Sequence, residues 1–385
     1  MHILVTTDTV GGVWTYTREL VTGLAMRGIR VTLVSFGGIP TSAQRAWLAG
    51  LSEVTYYPTG FRLEWMQGAA ADLSDSASYL RAIIQERKPD LLHLSQFCYG
   101  ALEVKQPKLV VAHSDVMSWS QAVRGAQPGD PWAQWYRAMV ERGLAGATLL
   151  VAPSRWMLEC IESCYGTQSS SCVIYNGRTP ALFNPFVSKH NYAASVGRLW
   201  DEGKQSQLLM QLANPPIPIF LAGATALESE THDSPPASRK GVKPGQRGVQ
   251  PGEADAGSAA GVEFRGELSE GEMRELLSRA SIYIATSKYE PFGLAPLEAA
   301  LSRCAIVAND IPGFREIWDD AAFYFCGGDL GSLEKALALL HGNPELRLRY
   351  ANRAYDRARQ HYTADRMVEE YMQLYRALLE RRVAA

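Results

Sequence analysis

Apolar and polar positions along the chain alternate between two periods. Ile3-Leu4-Val5-Thr6 and Val31-Thr32-Leu33-Val34 have the length and β-branched character of buried strands. Between them Val13, Thr17, Leu20, Val21 and Leu24 recur at three- and four-residue spacing. That spacing predicts a helix from about Val13 to Arg27, with Gly28 available as a left-handed C-terminal cap, and so a strand-helix-strand unit. Leu91–Leu94, Leu109–Ala112 and Thr148–Val151 are further strand candidates, and Ser154 is placed to cap the helix after the last of them. Repeated units of this kind build a parallel, doubly wound sheet.

After Val173-Ile174-Tyr175 the pattern breaks at Asn176-Gly177 and a proline-bearing stretch from Pro180 to Pro185, which reads as an interdomain linker. A second alternating series follows, with strands at Ala193–Val196, Ile217–Leu221, Val262–Phe264, Ile282–Ala285 and Ala305–Ala308. Ser269 and Glu272 form a capping box at the start of one of its helices. The chain closes in helical sequence from about Ala364 to Arg382, where Met367, Tyr371, Leu374, Tyr375 and Leu378 make an apolar stripe. The expected fold class is α/β, with two Rossmann-like doubly wound domains at 1–187 and 188–365 followed by a terminal helix at 366–385. Within the second domain, residues 225–260 turn to Gly, Pro, Ser, Ala and scattered charge with almost no large apolar side chain. Such a segment buries too little surface to offset its ordering entropy, and a flexible insertion is expected there.

Length agrees with this division, because 385 residues exceed what one hydrophobic core usually serves. The 38 basic and 40 acidic residues leave a formal charge of −2, which argues against a nucleic-acid binder relying on a strong positive field. Any anionic ligand must be met locally. No stretch approaches the roughly 18–20 apolar residues of a transmembrane helix, which leaves only a peripheral membrane contact open. Met1 leads straight into the first strand without a basic and then apolar leader, so a cytoplasmic location is expected. The six cysteines are scattered, as reduced thiols are; Cys160 and Cys164 share a helix face without an accompanying histidine and read as small buried hydrophobes.

The segment richest in chemistry is Glu290-Pro291-Phe292-Gly293-Leu294-Ala295-Pro296-Leu297-Glu298, which follows a strand and a short loop. A glycine-bearing turn that opens a helix is an anion site, since backbone N–H groups and the positive end of the helix dipole meet there. The two glutamates are suited to accept paired hydroxyl hydrogen bonds, one from a reacting sugar and one from a ribose. The bland alternative is two exposed helix charges. Upstream, Arg198 and Lys204 offer fixed cations for the charge that builds on a departing diphosphate. Their alternative reading is a surface pairing with Asp201 and Glu202.

This combination resembles the family 4 glycosyltransferases of the GT-B fold, whose signature is a pair of glutamates separated by seven residues in a setting like Glu-Pro-Phe-Gly-Leu. Val196-Gly197-Arg198-Leu199 with Lys204, and Val173-Ile174-Tyr175-Asn176-Gly177, extend the likeness over nearly the whole chain outside the 225–260 insertion. The resemblance implies two domains facing a central cleft, with the terminal helix 366–385 packing back on the first, and a retaining hexosyl transfer from a UDP- or GDP-linked sugar to an unidentified acceptor hydroxyl. It also implies that no cofactor and no metal take part. The last point agrees with the carboxylates, because Asp72 and Asp75, Glu253 and Asp255, and Asp319 and Asp320 form no evident cage for a hard cation. Glu290 would polarise the sugar, and Arg198, Lys204, Phe292, Gly293, Leu294 and Glu298 would hold the donor.

In the first domain, Asp8-Thr9-Val10-Gly11-Gly12-Val13 is a glycine-rich helix start but lacks the full dinucleotide fingerprint. In the resembled family this loop touches the donor phosphates or the acceptor, and Gly12 is carried over as a donor contact. His113 follows the Leu109–Ala112 strand at the sheet's carboxyl edge, where the family places a sugar-contacting histidine; its alternative is a satisfied structural histidine. The chain has His-Ser-Asp where the family often has His-Asp, which leaves the role of Asp115 open. His93, inside an apolar strand, reads as structural, and the cluster Trp119, Trp132, Trp135 and Tyr136 suits either an acceptor surface or packing. A catalytically silent nucleotide-sugar-binding regulator is the rival function.

Overall fold

The computed structural model describes residues 1–168, 170–225 and 261–384; the expected insertion at 225–260 therefore lies outside the described residues apart from Thr225. The chain divides into two compact units, Met1–Thr179 with His361–Ala385, and Pro180–Gln360.

The first unit contains β1 (His2–Asp8), α1 (Gly12–Ala25), β2 (Arg30–Phe36), β3 (Val54–Pro58), α2 (Ala70–Arg87), β4 (Leu91–Leu94) and β5 (Lys108–Val111). It continues through α3 (Val116–Arg124), α4 (Pro131–Gly146), β6 (Leu149–Ala152), α5 (Arg155–Tyr165) and β7 (Ser171–Val173). The strands are all parallel in the order β3-β2-β1-β4-β5-β6-β7, with Val5 opposite Leu33 on one side and His93 on the other. Chain direction across the sheet reverses between β1 and β4, and ligands of open α/β sheets gather at the carboxyl side of such a reversal. Ser154 caps α5 by accepting from the Met157 N–H at 3.1 Å, as its position predicts. β3 is absent from the sequence reading because its half-buried Val-Thr-Tyr-Tyr-Pro run lies at the sheet edge and carries no apolar alternation.

The second unit contains β8 (His190–Val196), α6 (Gln207–Met210), β9 (Ile219–Ala222), β10 (Val262–Phe264), α7 (Glu270–Arg279), β11 (Ala280–Ala285) and α8 (Leu294–Leu301). It ends with β12 (Ala305–Asn309), α9 (Pro312–Trp318), β13 (Ala322–Phe325), α10 (Leu330–Gly342) and α11 (Pro344–His361). Its parallel sheet runs β10-β9-β8-β11-β12-β13 and reverses between β8 and β11. Ile282, Ile284, Val307 and Leu221 supply fully buried positions of its core. The Ser269–Glu272 capping box is present at α7. Lys189, its pKa lowered by burial, donates to the carbonyls of Ser278 at 2.8 Å and Ser302 at 2.6 Å. One ammonium thus satisfies the C-terminal ends of both α7 and α8, and so fixes the helix whose other end carries the candidate site.

The terminal helix α12 (Ala364–Ala384) belongs to the first unit and packs on α1, with Met367, Tyr371, Tyr375 and Leu378 buried. Its entry is held by a two-way backbone bridge, Arg178 N–H to Tyr362 O and Ala364 N–H to Arg178 O, both 3.0 Å. The fully buried Arg178 guanidinium pairs with Glu19 of α1, and Thr179 Oγ1 donates to the second Glu19 oxygen at 2.6 Å. Gly177 faces this bridge so closely that a Cβ there would lie 2.2 Å from the Thr363 carbonyl oxygen. Gly177→Ala should therefore lower unfolding free energy by about 1–3 kcal/mol. A urea unfolding curve with an unchanged midpoint would contradict this steric reading.

Candidate functional site

In the second unit the reversal between β8 and β11 opens a small pocket lined by Ser195 to Gly197, Lys204, Thr286, Ser287, Glu290, Gly293 and Leu294, among others. Three loops build it. After β8 the chain turns through Gly197 and Arg198 into a short 3-10 turn, Glu202–Lys204, whose leading Asp201 accepts from the Gly203 N–H at 2.9 Å. The turn is locked onto the loop after β11, where Thr286 Oγ1 donates to the Lys204 carbonyl at 2.7 Å and the Lys288 N–H to the Gly203 carbonyl at 2.8 Å. Lys204 is thereby presented to the pocket by main-chain bonds rather than by its own flexible stem.

Glu290 is 8% exposed, and its Oε2 accepts from Lys204 Nζ at 2.5 Å and from Ser287 Oγ at 2.9 Å. Asn309, at the end of β12, donates through Nδ2 to the Ser287 carbonyl at 3.0 Å and holds that loop in turn. Gly293 then enters α8 with φ +89°, and a Cβ on it would fall 3.2 Å from Glu290 Cγ. Both the left-handed backbone and the lack of room favour glycine at this corner. No side chain caps the start of α8, and its first turn holds no acidic residue, so its N-terminal N–H groups and dipole stay available to an anion.

The structure thus brings Lys204, Glu290, Gly293 and Leu294 to one pocket. Arg198 does not line it; its Nη2 bonds Asp201 Oδ2 at 2.8 Å and the guanidinium lies 5.5 Å from the Trp200 ring centroid. The structure therefore shows the Asp201 part of the alternative pairing. Burial alone would push the Asp201 carboxyl up, yet Arg198 and Lys204 beside it more than offset this and hold it below the usual carboxylate range. Phe292 and Glu298 are buried within the same segment, away from the pocket lining. Ser287 and Asn309 went unnoticed in the sequence, since nothing in their spacing marks them.

In the first unit, Gly12 is the exposed first residue of α1, preceded by Gly11 at φ +72° and again without a side-chain cap. Asp8 Oδ1 accepts from the Val10 N–H at 3.0 Å and braces the loop. His113 follows β5; its Nε2 lies 3.3 Å from Ser95 Oγ, and burial depresses its pKa to about 3, so the ring is neutral at ordinary pH. Asp115 is a structural cap: it accepts from the Ser118 N–H at 2.7 Å and from the hydroxyls of Tyr165 at 2.6 Å and Tyr136 at 3.2 Å. Tyr136, stacked on Trp132 at 5.6 Å, is buried packing. The six cysteines are free thiols. Among the described residues no helix is long and apolar enough to cross a membrane, and no group of three His, Cys, Asp or Glu is placed to hold a metal ion.

Two parallel α/β units, the second with an anion-ready helix start at its sheet reversal, define a GT-B protein. The model of Glycosyltransferase Family 4 matches residues 10–181 and that of Glycosyl transferases group 1 matches 183–357, and the chain belongs to this family 4, group 1 type of glycosyltransferase. Among curated proteins, it is 29% identical over 117 residues to alpha-maltose-1-phosphate synthase of Mycobacterium tuberculosis, covering 28% of this chain and 30% of that one. It is also 29% identical over 126 residues to the lipopolysaccharide core biosynthesis mannosyltransferase LpcC of Rhizobium leguminosarum, 32% and 35% of the two chains. These matches span about a third of the relatives' length. Solved structures share the fold: sucrose-phosphate synthase of Thermosynechococcus elongatus has a TM-score of 0.77 at 16% identity over 99% of both chains. Anabaena HepE in complex with UDP-glucose has 0.71 at 17% identity, over 98% of this chain and 100% of that one.

Proposed function

We propose that the chain transfers a hexose from a UDP- or GDP-linked sugar to an acceptor hydroxyl with retention at the anomeric carbon. The observation that carries this reading is the convergence of Lys204, the Glu290 carboxylate and the uncapped start of α8 on one pocket. The diphosphate would take the N–H groups of Gly293 and Leu294 and the Lys204 ammonium, with Arg198 drawn from Asp201. Phe292 shapes the turn from within, and Glu298 would accept from the ribose hydroxyls. Glu290 would orient the sugar, and in the first unit Gly12 would contact the donor and His113 the reacting sugar as a neutral hydrogen-bond partner.

Retention follows front-face displacement: the bond from the anomeric carbon to the phosphate oxygen breaks, the bond to the acceptor oxygen forms on the same face, and the acceptor's proton passes to the departing phosphate oxygen. Fixed cations and amide dipoles stabilise the charge that builds on that oxygen. HepE, solved in complex with UDP-glucose, supports a nucleotide sugar as donor. The acceptor is a glycan, a lipid-linked sugar or a small molecule. We place the reaction in the cytoplasm.

A thermal-shift screen of UDP, GDP and their hexose conjugates tests the donor, because a bound ligand raises stability in proportion to ln(1 + [L]/Kd). Stabilisation by a nucleotide sugar without turnover of it with any acceptor or water would favour the silent regulator. Glu298→Ala should weaken the responding nucleotide roughly 10-fold or more, through loss of hydrogen bonds to a charged acceptor; equal affinity in variant and parent would remove Glu298 from the ribose. The charge assignment also needs no divalent ion. Turnover should persist after dialysis against EDTA, and loss on chelation restored by Mn²⁺ or Mg²⁺ would overturn it.

A further inference from the structure

The first unit encloses a chain of polar side chains that the proposed reaction does not use. His93, on β4, is fully buried between two tyrosines. Its Nδ1 lies 2.7 Å from Tyr375 Oη on α12, and its Nε2 lies 3.1 Å from Tyr16 Oη on α1. A neutral imidazole carries one N–H, so one ring nitrogen donates and the other accepts, and the two hydroxyls take opposite roles. Burial lowers the His93 pKa to about 3, which keeps the ring in that neutral form.

Tyr371 closes the cluster edge-on to His93, with ring centroids 5.0 Å apart. Tyr16 in turn stands edge-on to His113, with centroids 4.5 Å apart at 68°. Ser95, which His113 Nε2 approaches, follows the end of β4 two residues beyond His93.

We infer that Tyr375, His93 and Tyr16 form a relay through which the terminal helix α12 sets the ring orientation of His113. Tyr375 and His93 are positioning residues; neither touches substrate. An apolar stripe would dock α12 equally well, whereas hydrogen bonds in a dry interior are directional and costly to leave unmade. Loss of the Tyr375 hydroxyl leaves a buried ring nitrogen of His93 without its partner. The ring can recover a bond only by turning, which moves the Tyr16 hydroxyl and, with it, the face that Tyr16 shows to His113. For its effect on turnover, though not on the ring itself, the relay rests on the assignment of His113 proposed above.

The test is ¹⁵N side-chain NMR of the full chain, in which the seven histidines are few enough to resolve and the His113 signals are identified by their loss in His113→Asn. Tyr375→Phe keeps the ring and its packing. It should shift the His113 ring resonances and lower the turnover of UDP-glucose or a GDP-hexose roughly 3- to 10-fold at unchanged KM, the scale of one hydrogen bond. Tyr16→Phe cuts the same chain one link later and should do the same; it carries the test if Tyr375→Phe does not fold. His113 resonances identical to the parent in a folded variant overturn the relay, whatever happens to turnover. Shifted resonances together with parental turnover in His113→Asn leave the relay standing and instead remove His113 from the reaction.

Discussion

Glu290→Gln is expected to cut kcat by roughly 10²- to 10³-fold while nucleotide affinity stays level or rises, the scale seen when one transition-state contact is lost. The variant keeps the shape of the side chain and its place in the loop, since Ser287 can still bond the amide oxygen. What disappears is the charge proposed to polarise the sugar, which also pairs with the Lys204 ammonium 2.5 Å away. A Lys204 relieved of this partner is freer to meet a phosphate, which is why affinity should not fall. The effect belongs to the transition state rather than to ground-state binding. Parental kcat would take Glu290 out of the mechanism, and a weakened nucleotide with unchanged kcat would move it to the donor's binding contacts.

The second large effect is expected at Lys204. Lys204→Ala should lower kcat/KM by on the order of 10²-fold or more, because a fixed cation near a departing phosphate acts where water is scarce. Two unit charges 4 Å apart interact by about 4 kcal/mol at an effective dielectric of 20. The same change strands Glu290 as a buried carboxylate with Ser287 as its recorded side-chain donor. Combining Lys204→Ala with Glu290→Gln should then cost less than the two single effects added together, since the second change removes the charge that the first left uncompensated. Strict additivity in this cycle would mean that the ion pair has no part in how the site is set. A kcat/KM loss confined to Arg198→Ala, with Lys204→Ala near parental, would transfer the diphosphate to Arg198.

Much of the architecture was legible without coordinates where local chemistry alone decides the outcome. The helix after β1, the Ser154 cap and the Ser269–Glu272 capping box depend on residues within four positions of one another, and the structure shows each of them. The strands on the reversal of each sheet are continuous buried runs and stand out for that reason. The edge strand β10 was read as well, but β3 and β13 were not: both are short and half-buried, so neither period marks them.

The residues of the candidate site divide in the same way. The glycine-bearing turn from Glu290 to Leu294 and the cations Arg198 and Lys204 could be read from their types and spacing, because an anion site at a helix start is a local construction. That Lys204 meets Glu290 across 86 residues, and that Asn309 holds the Ser287 carbonyl from the next strand, could not be read. Those pairings depend on which strands become neighbours, and strand order is settled by the packing of whole sheets. His93 shows the division within one residue: burial in an apolar strand was evident from its neighbours, whereas its bond to Tyr375, 282 positions away, exists only because α12 packs on α1. The sequence by itself thus determined the elements, their class and the local anion site. Tertiary structure alone decided which charges pair and which hydroxyl faces which ring, because hydrogen bonds and ion pairs form over about 3 Å and only the folded sheets bring such distant residues within that reach.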